Sequence, residues 1–195
     1  MKFCLSTAVL GLTAVSLAAP ANCSSANSDL IYKTPKVEPF VTVNIRTSYP
    51  ANVTLHGSTV GVAPILGGQV KGKFNGQLHP NISAETERLM PGSNGRNTLA
   101  ESQWILENGD KEKIFVSLKG ITTYANNALH GFGTAIMETD NEGYDWVNWA
   151  HFIVEWQASF ATGQAEFQIS HVTTGGRRDG KPIPALEPPA GDNRG

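Results

Sequence analysis

The sequence predicts an all-β protein built as a single antiparallel, lipocalin-like β-barrel of about eight or more strands. Several segments alternate apolar and polar residues with a period of two, which is typical of half-buried strands. Turn signals such as Asn75-Gly76 and Asn108-Gly109 separate these segments. No convincing amphipathic helix is available to cover a parallel sheet. A barrel of about eight strands leaves room inside for one small ligand.

The clearest strand patterns are Phe40–Ser48, Lys113–Lys119 and Ala165–Val172. Further strand candidates are Val53–Val60, Ile65–His79, Leu99–Leu106 and Gly131–Thr139. The segment Trp146–Ser159 stays open between strand and helix, because several of its polar residues also fall at helical spacing. The glycine run Gly67–Gly76 lacks the pattern of a phosphate-binding loop and indicates close backbone approach or strand bending.

The ends of the chain predict processing rather than fold. Lys2, an apolar run and the small residues up to Ala21 form a signal-peptide pattern over residues 1–21. The run is shorter than the ~20 apolar residues that a spanning helix needs, so we expect a secreted or secretory-pathway protein without membrane insertion. Residues 22–36 read as a flexible leader and residues 37–174 as the barrel. Residues 175–195 contain four prolines and five glycines and predict a disordered tail.

Composition excludes several classes of function. Glycosylation sequons occur at Asn22, Asn52 and Asn81. Cys4 leaves with the signal peptide and Cys23 remains alone, so neither an intrachain disulfide nor a thiolate metal cluster is expected. The formal charge of −2 makes nucleic acid an improbable partner. The histidines show no HExxH spacing, and we expect no metal and no cofactor. The oligomeric state stays open, a homodimer included.

Three motifs resemble a known family. They are the glycine run Leu66–Gly76, the stretch Ala100–Gly120, and Glu138-Thr139 followed by Tyr144–Asn148. In this order they resemble the barrel family called domain of unknown function 3237, over roughly residues 38–174. The Asp-rich stretch often found after the glycine run is here His79–Asn97, whose acids are Glu85 and Glu87. The resemblance therefore carries no carboxylate over from that stretch.

A secreted, sequon-bearing chain of this kind also resembles the fungal hetero-Diels–Alderases of tropolone–sesquiterpenoid biosynthesis. This resemblance implies a cofactor-free pericyclase that joins a tropolone quinone methide to a humulene-type terpene, both apolar small molecules. The alternative is a secreted lipocalin-like protein that binds an apolar small molecule without turnover. A third reading is a structural or cell-surface interaction protein, in which the aromatic residues form core alone.

The candidate site centres on Glu138–Trp156, which holds three of the chain's four tryptophans. The residues predicted to bind substrate are aromatic: Trp104, Phe115, Tyr144, Trp146, Phe152 and Trp156. If Trp146–Ser159 is a strand, its even-numbered residues from Trp146 share a face with Tyr144. Ordinary core packing is the alternative, since aromatic residues dominate cores.

Three residues are candidates for catalysis. Asn148 would donate a hydrogen bond to an oxygen of the quinone methide. His130 or Glu101 would act as an acid that assists loss of water from a benzylic-type alcohol. Glu101 and Lys119 are charges within apolar strands, and an inward charge would be costly unless it is paired. An outward position is favoured for Lys119 and remains open for Glu101.

Overall fold

Ten antiparallel strands form the protein in a computed structural model that describes residues 30–56, 58–79 and 82–186. The strands are β1 Lys36–Thr47, β2 Ala51–Leu55, β3 Ser58–Gly72, β4 Gly76–Leu78, β5 Ala84–Leu89, β6 Asn97–Glu107, β7 Lys113–Ala125, β8 Ala128–Glu138, β9 His151–Ser159 and β10 Gln164–Thr173. Two short 3₁₀ helices occur at Asp145–Trp149 and Pro184–Leu186, and the described residues contain no α-helix. The all-β prediction is confirmed.

The hydrogen bonds between strands close into a ring. Strands β1, β10, β9, β8, β7 and β6 pair in that order. Both β4 and β5 bridge β6 to β3, and β3 pairs back with β1. The first half of β3 pairs with β2 on one side and with β5 on the other. This part of the sheet extends past the end of the β1–β10 pairing. Closure leaves most strands without a free edge, as the sequence predicted for a barrel.

Alternation along each strand determines what faces the interior. On β6 the buried residues from Thr98 to Leu106 occupy every second position and include Ser102 and Trp104, while the intervening residues Glu101 and Gln103 are exposed. The ring needs a bend where β1 leaves β3, and the register shifts there between Arg46 and Thr47. Gly67 lies at this point with φ of +146°, a conformation that residues with a Cβ rarely adopt. Strand bending at the glycine run is therefore observed.

Four element predictions differ from the structure. The strand candidate Ile65–His79 is divided between the end of β3 and β4, which pair antiparallel. The strand predicted at Val53–Val60 is a hairpin, because the chain reverses between β2 and β3. The segment Trp146–Ser159 is neither one helix nor one strand, since a 3₁₀ helix precedes β9. Tyr144, Trp146 and Asn148 therefore do not share a strand face with Phe152 and Trp156. Strand β5 was not predicted at all, because its alternation places acids rather than apolar residues on the inner face.

The chain ends are only partly described. The signal peptide, Asn22, Asn81 and the end of the tail lie outside the described residues. The predicted disorder of residues 175–195 does not hold for the first of them, because the N–H of Lys33 donates to Gly176 O and that of Arg178 to Ile31 O. Tyr32 and Arg177 form an isolated β-bridge in the same place. Within the described part of the chain, no helix has the length and apolar character needed to cross a bilayer.

Candidate functional site

One end of the barrel, here called the closed end, is filled by aromatic side chains. Phe40 contacts Trp146 edge-on at a centroid distance of 5.4 Å and Phe152 at 5.5 Å. Both Trp146 and Phe152 also contact the ring of His171. Phe40 and Phe152 are fully buried, and the 3₁₀ helix inserts Val147 into the same cluster. Most of the tryptophan-rich segment therefore serves as a plug.

The polar groups of the plug are occupied by backbone. The amide of Asn148 accepts a hydrogen bond from Thr139 N–H at 2.8 Å and donates one to Thr139 O at 2.9 Å. The hydroxyl of Tyr144 donates to Lys73 O at 3.0 Å, and its ring packs against Phe74. A side chain that already makes such bonds has little hydrogen-bonding capacity left for a ligand. Asn148 and Tyr144 thus fix the loop after β8 to the barrel end.

Other predicted site residues lie on the outer surface. Glu101 forms an ion pair with Lys119 at 2.8 Å, and both side chains are more than half exposed. His130 contacts Glu155 at 2.8 Å, again between exposed side chains. Phe115 points outward and lines a shallow depression of about 550 Å³ that also includes Asn148. The structure does not bring these residues together with the interior aromatic side chains.

The opposite end, here called the open end, contains a cavity of about 710 Å³. It is lined by the loop after β1, by β2, β3 and β5, and by the ends of β6 to β10 that meet there. Trp156 and Phe167 form its floor, with ring centroids 5.9 Å apart and stacked. Trp104 is buried beneath and contacts Phe167 edge-on at 4.8 Å. Of the six aromatic residues predicted to bind substrate, Trp156 lines this cavity.

A larger depression of about 830 Å³ adjoins the same end of the barrel. It shares Arg46, Leu129 and Ala158 with the cavity, but much of its lining is outward polar side chains such as Gln157 and Glu166. Both volumes fall within the roughly 300–1,000 Å³ of small-molecule sites, but only the 710 Å³ cavity has the mainly apolar lining that is typical of them.

Glycine makes room for the indole of the cavity floor. A Cβ placed on Gly131 of β8 would lie 2.0 Å from Cε2 of Trp156, and one on Gly120 of β7 would lie 2.6 Å from Cη2. No side chain fits at either position without displacing the ring. Trp156 can therefore lie flat across β7 and β8, where it belongs to the buried core and also borders the cavity.

Two carboxyl groups enter this cavity from β5. Glu85 and Glu87 alternate with the outward Thr86 and line the same wall. The Oε1 atom of Glu85 is out of contact with solvent and has no hydrogen-bond partner in the described part of the chain. Glu87 accepts a hydrogen bond at 2.9 Å from the hydroxyl of Thr98, which lies on the neighbouring strand β6.

Burial controls the ionisation of both acids. Desolvation, and then the negative charge of Glu87, raise the pKa of Glu85 to about 8. Desolvation also raises the pKa of Glu87, while the hydrogen bond from Thr98 opposes that rise. Two nearby carboxyl groups whose environments differ in this way are typical of acid–base sites. At neutral pH, Glu85 holds its proton and can donate it.

Sequence reasoning missed this acid pair, although it singled out both residues as the acids of His79–Asn97. The available signal was the spacing: two acids at i and i+2 in Ala84–Leu89, between turn signals, share a strand face. No group of three or more metal-ligating side chains occurs within residues 30–56, 58–79 and 82–186. The arrangement can hold an apolar molecule and offer it a proton.

Comparison with known proteins agrees with this architecture. No curated protein matches the chain. Among solved structures, a conserved protein of unknown function from Rhodopseudomonas palustris is 18% identical with a TM-score of 0.64, covering 72% of this chain and 99% of that one. A beta-barrel like protein from Acinetobacter baumannii is 17% identical with a TM-score of 0.61, covering 72% and 98%.

A fungal structure, described as an enzyme from Penicillium herquei, is 15% identical with a TM-score of 0.51 and covers 72% of this chain and 96% of that one. At such identities these likenesses establish the fold alone. A sequence family described as "Protein of unknown function (DUF3237)" matches residues 35–172, which span the ten strands apart from the last residue of β10. The chain therefore belongs to the DUF3237 family.

Proposed function

We propose that the open-end cavity is the active site of a cofactor-free pericyclase. It would join a tropolone quinone methide to a humulene-type terpene by an intermolecular hetero-Diels–Alder reaction in secondary-metabolite biosynthesis. The observation that carries the proposal is the 710 Å³ cavity, whose mainly apolar lining includes the carboxyl groups of Glu85 and Glu87 on the β5 wall. That arrangement suits two apolar reactants, one of which bears oxygens.

Confinement supplies the catalysis in this proposal. Holding two reactants in contact converts a bimolecular step into an effectively unimolecular one and contributes up to about 7–11 kcal/mol in well-oriented cases. Trp156 and Phe167 border the cavity and offer aromatic surface against which a planar quinone methide would pack. Leu129, Ala158 and Phe167 leave apolar walls for the terpene. Exclusion of water also protects the quinone methide from hydration.

Hydrogen-bond donors at the cavity can orient the oxygen-bearing partner. Tyr124 lines the cavity and stacks on Phe160 with 8° between the ring planes, and Arg46 lies on the same rim. Donors on the oxygens of a quinone methide withdraw electron density and lower its electron-accepting orbital. These groups take the donor role that the sequence assigned to Asn148. The fungal neighbour described as an enzyme is a precedent for turnover on this fold.

The test incubates purified protein with a tropolone quinone-methide precursor and humulene and compares product yield and enantiomeric excess with buffer. We expect an accelerated reaction with one enantiomer in excess. Ala158→Phe fills the cavity and should abolish the acceleration, whereas Gln157→Phe, on the outer face of the same strand, should not. Binding of either reactant without turnover would favour the binding-protein alternative. Full activity in Ala158→Phe would show that the reaction does not use this cavity.

A further inference from the structure

We propose that Glu85 is the catalytic acid of the open-end cavity, that Glu87 is its charged neighbour, and that the pair ionises an apolar alcohol whose hydroxyl departs as water. The inference rests on the proposed function, because it deepens the chemistry of the same cavity. It names the class of substrate as a benzylic-type alcohol conjugated with a ring hydroxyl, from which the quinone methide is formed in place.

The geometry isolates this pair from neutralising charge. On one side, Glu85 lies opposite Ser102 and Glu87 opposite Ala100 of β6. On the other side, both acids face small residues of β3, namely Ala63 and Gly61. No cation stands at any of these adjoining positions. Ala63 and Gly61 both line the cavity, and the side chain of Asn52 lies next to Gly61 on the same side.

The remaining ionisable groups at the cavity are few. Among the described lining residues they are Arg46 on β1, Tyr49 in the loop after it and Tyr124 on β7. None of them forms an ion pair with either glutamate. The guanidinium of Arg46 is exposed at the rim, where solvent screens it. Four buried side-chain atoms lack a partner in the described part of the chain, in Ser83, Glu85, Trp104 and Thr122. Of these residues Glu85 is the one that lines the cavity, so its Oε1 is the atom that a ligand there can satisfy.

The two acids differ in the roles that their surroundings permit. Thr98 donates to Glu87 and stabilises its carboxylate, whereas the described surroundings of Glu85 supply no such donor. Burial raises the pKa of Glu85 to about 8, so this group stays protonated at neutral pH. Glu85 is then the proton donor, and Glu87 stabilises the positive charge that develops on the substrate carbon.

The step balances without an oxidant, reductant or cofactor. Glu85 protonates the leaving hydroxyl, and the carbon–oxygen bond breaks with both electrons going to the oxygen, which departs as water. The ring hydroxyl then gives its proton to the Glu85 carboxylate, and its electrons complete the neutral quinone methide. Glu85 ends the step protonated, as it began. In the cycloaddition one carbon–carbon and one carbon–oxygen bond form, with no further proton transfer.

The first experiment follows this ionisation without any terpene. A hydroxymethyl-substituted tropolone is incubated with the protein in water labelled with heavy oxygen, and mass spectrometry measures label entering the alcohol. Without a terpene, the quinone methide formed by ionisation leaves the cavity and is hydrated by labelled bulk water, which exchanges that oxygen. We expect Glu85→Gln to lower the exchange rate by about 100-fold or more. Glu38→Gln, a matched change of an exposed strand glutamate, should leave the rate unchanged. Thermal unfolding confirms that both variants are folded.

Either of two results would overturn the inference: wild-type exchange no faster than in buffer, or exchange in Glu85→Gln equal to the wild type. A second arm supplies the quinone methide from a photochemical precursor that needs no acid, together with humulene. Wild-type cycloaddition in that arm tests the proposed function alone. If the protein accelerates oxygen exchange but not cycloaddition, the pericyclase proposal is wrong and the role of Glu85 as the acid is supported. If it accelerates cycloaddition but not oxygen exchange, the role of Glu85 is wrong and the pericyclase proposal is supported.

The pH profile tests the part assigned to Glu87. The exchange rate should fall as Glu85 loses its proton on the alkaline side. In Glu87→Gln the neighbouring negative charge is gone, so the pKa of Glu85 drops and the alkaline limb moves to lower pH. A merely structural Glu87 would change the rate without moving the limb. An unmoved limb would therefore overturn the pairing of the two acids.

Discussion

The two ends of the barrel are both rich in aromatic rings, but they differ in whether their polar groups are hydrogen-bonded. At the closed end, Asn148 and Tyr144 bond to backbone atoms and the rings fill the space. At the open end, Trp156 and Phe167 border a cavity, and a buried carboxyl oxygen of Glu85 lacks a partner in the described part of the chain. Aromatic density thus does not separate a site from a core, whereas an unsatisfied polar group beside space does.

The largest expected effect belongs to the closed end. Phe152→Ala removes a fully buried ring that contacts Phe40, Trp146 and His171, so we expect a loss of about 3–5 kcal/mol in the free energy of unfolding. Activity per folded molecule should be unchanged, because Phe152 does not line the cavity. Chemical denaturation measures the first quantity and the cycloaddition assay the second. Trp149→Ala, which alters an 84% exposed ring, is the control and should change stability by less than about 0.5 kcal/mol.

At the open end, the expected effect is a dependence of the free energy of unfolding on pH. Because the pKa of Glu85 is raised from 4.5 to about 8, the folded protein holds one proton more than the unfolded chain between these pH values. The free energy of unfolding therefore falls as pH rises through that window, by at most a few kcal/mol.

Glu85→Gln should flatten most of this slope and be more stable than the wild type at the alkaline end of the window. A smaller slope of the same sign remains from Glu87, whose pKa is also raised. Thermal unfolding across the pH range measures the slope of stability against pH. Glu38→Gln is the control and should have the same slope as the wild type. A wild-type stability that rises between the two pH values would contradict the burial of an acid at this end.

Asn148→Ala tests whether the polar groups of the closed end are structural. The sequence made Asn148 a candidate hydrogen-bond donor to the substrate, a role whose loss would weaken function and spare the fold. Since the amide bonds to both backbone groups of Thr139, we expect a stability loss of about 1–3 kcal/mol with activity per folded molecule retained. A variant that is as stable as the wild type but has lost cycloaddition activity would show that Asn148 acts on the substrate.

The smallest effect concerns the pairing of residues 31–33 with residues 176–178 beyond the closed end. Deleting residues 175–195 removes the bonds of Gly176 O and Arg178 N and should cost about 1–2 kcal/mol. Deleting residues 181–195 keeps those bonds and should cost less. The melting temperatures of the two truncations, compared with the full chain, decide the matter. Equal values would show that this pairing adds nothing to stability.

Sequence alternation alone determined that the protein is all-β and where most strands lie, because inward and outward positions alternate between neighbours along the chain. The same rule failed at β5. Its inner positions hold Glu85 and Glu87, so the strand lacks the apolar alternation by which strands are recognised. The residues that obscured the strand are those that make up the candidate acid site.

Only the tertiary structure decided which aromatic residues are core and which border a ligand space. The indole of Trp156 lies over Gly131 and Gly120, 25 and 36 positions earlier in the chain, as the register of β7, β8 and β9 requires. Glu85 meets Ser102 and Ala63 through pairings with two other strands. Local sequence contains no information on such registers, because they depend on how the ring of strands closes. The fold class can therefore be predicted from the sequence, whereas the cavity exists only once the barrel has closed.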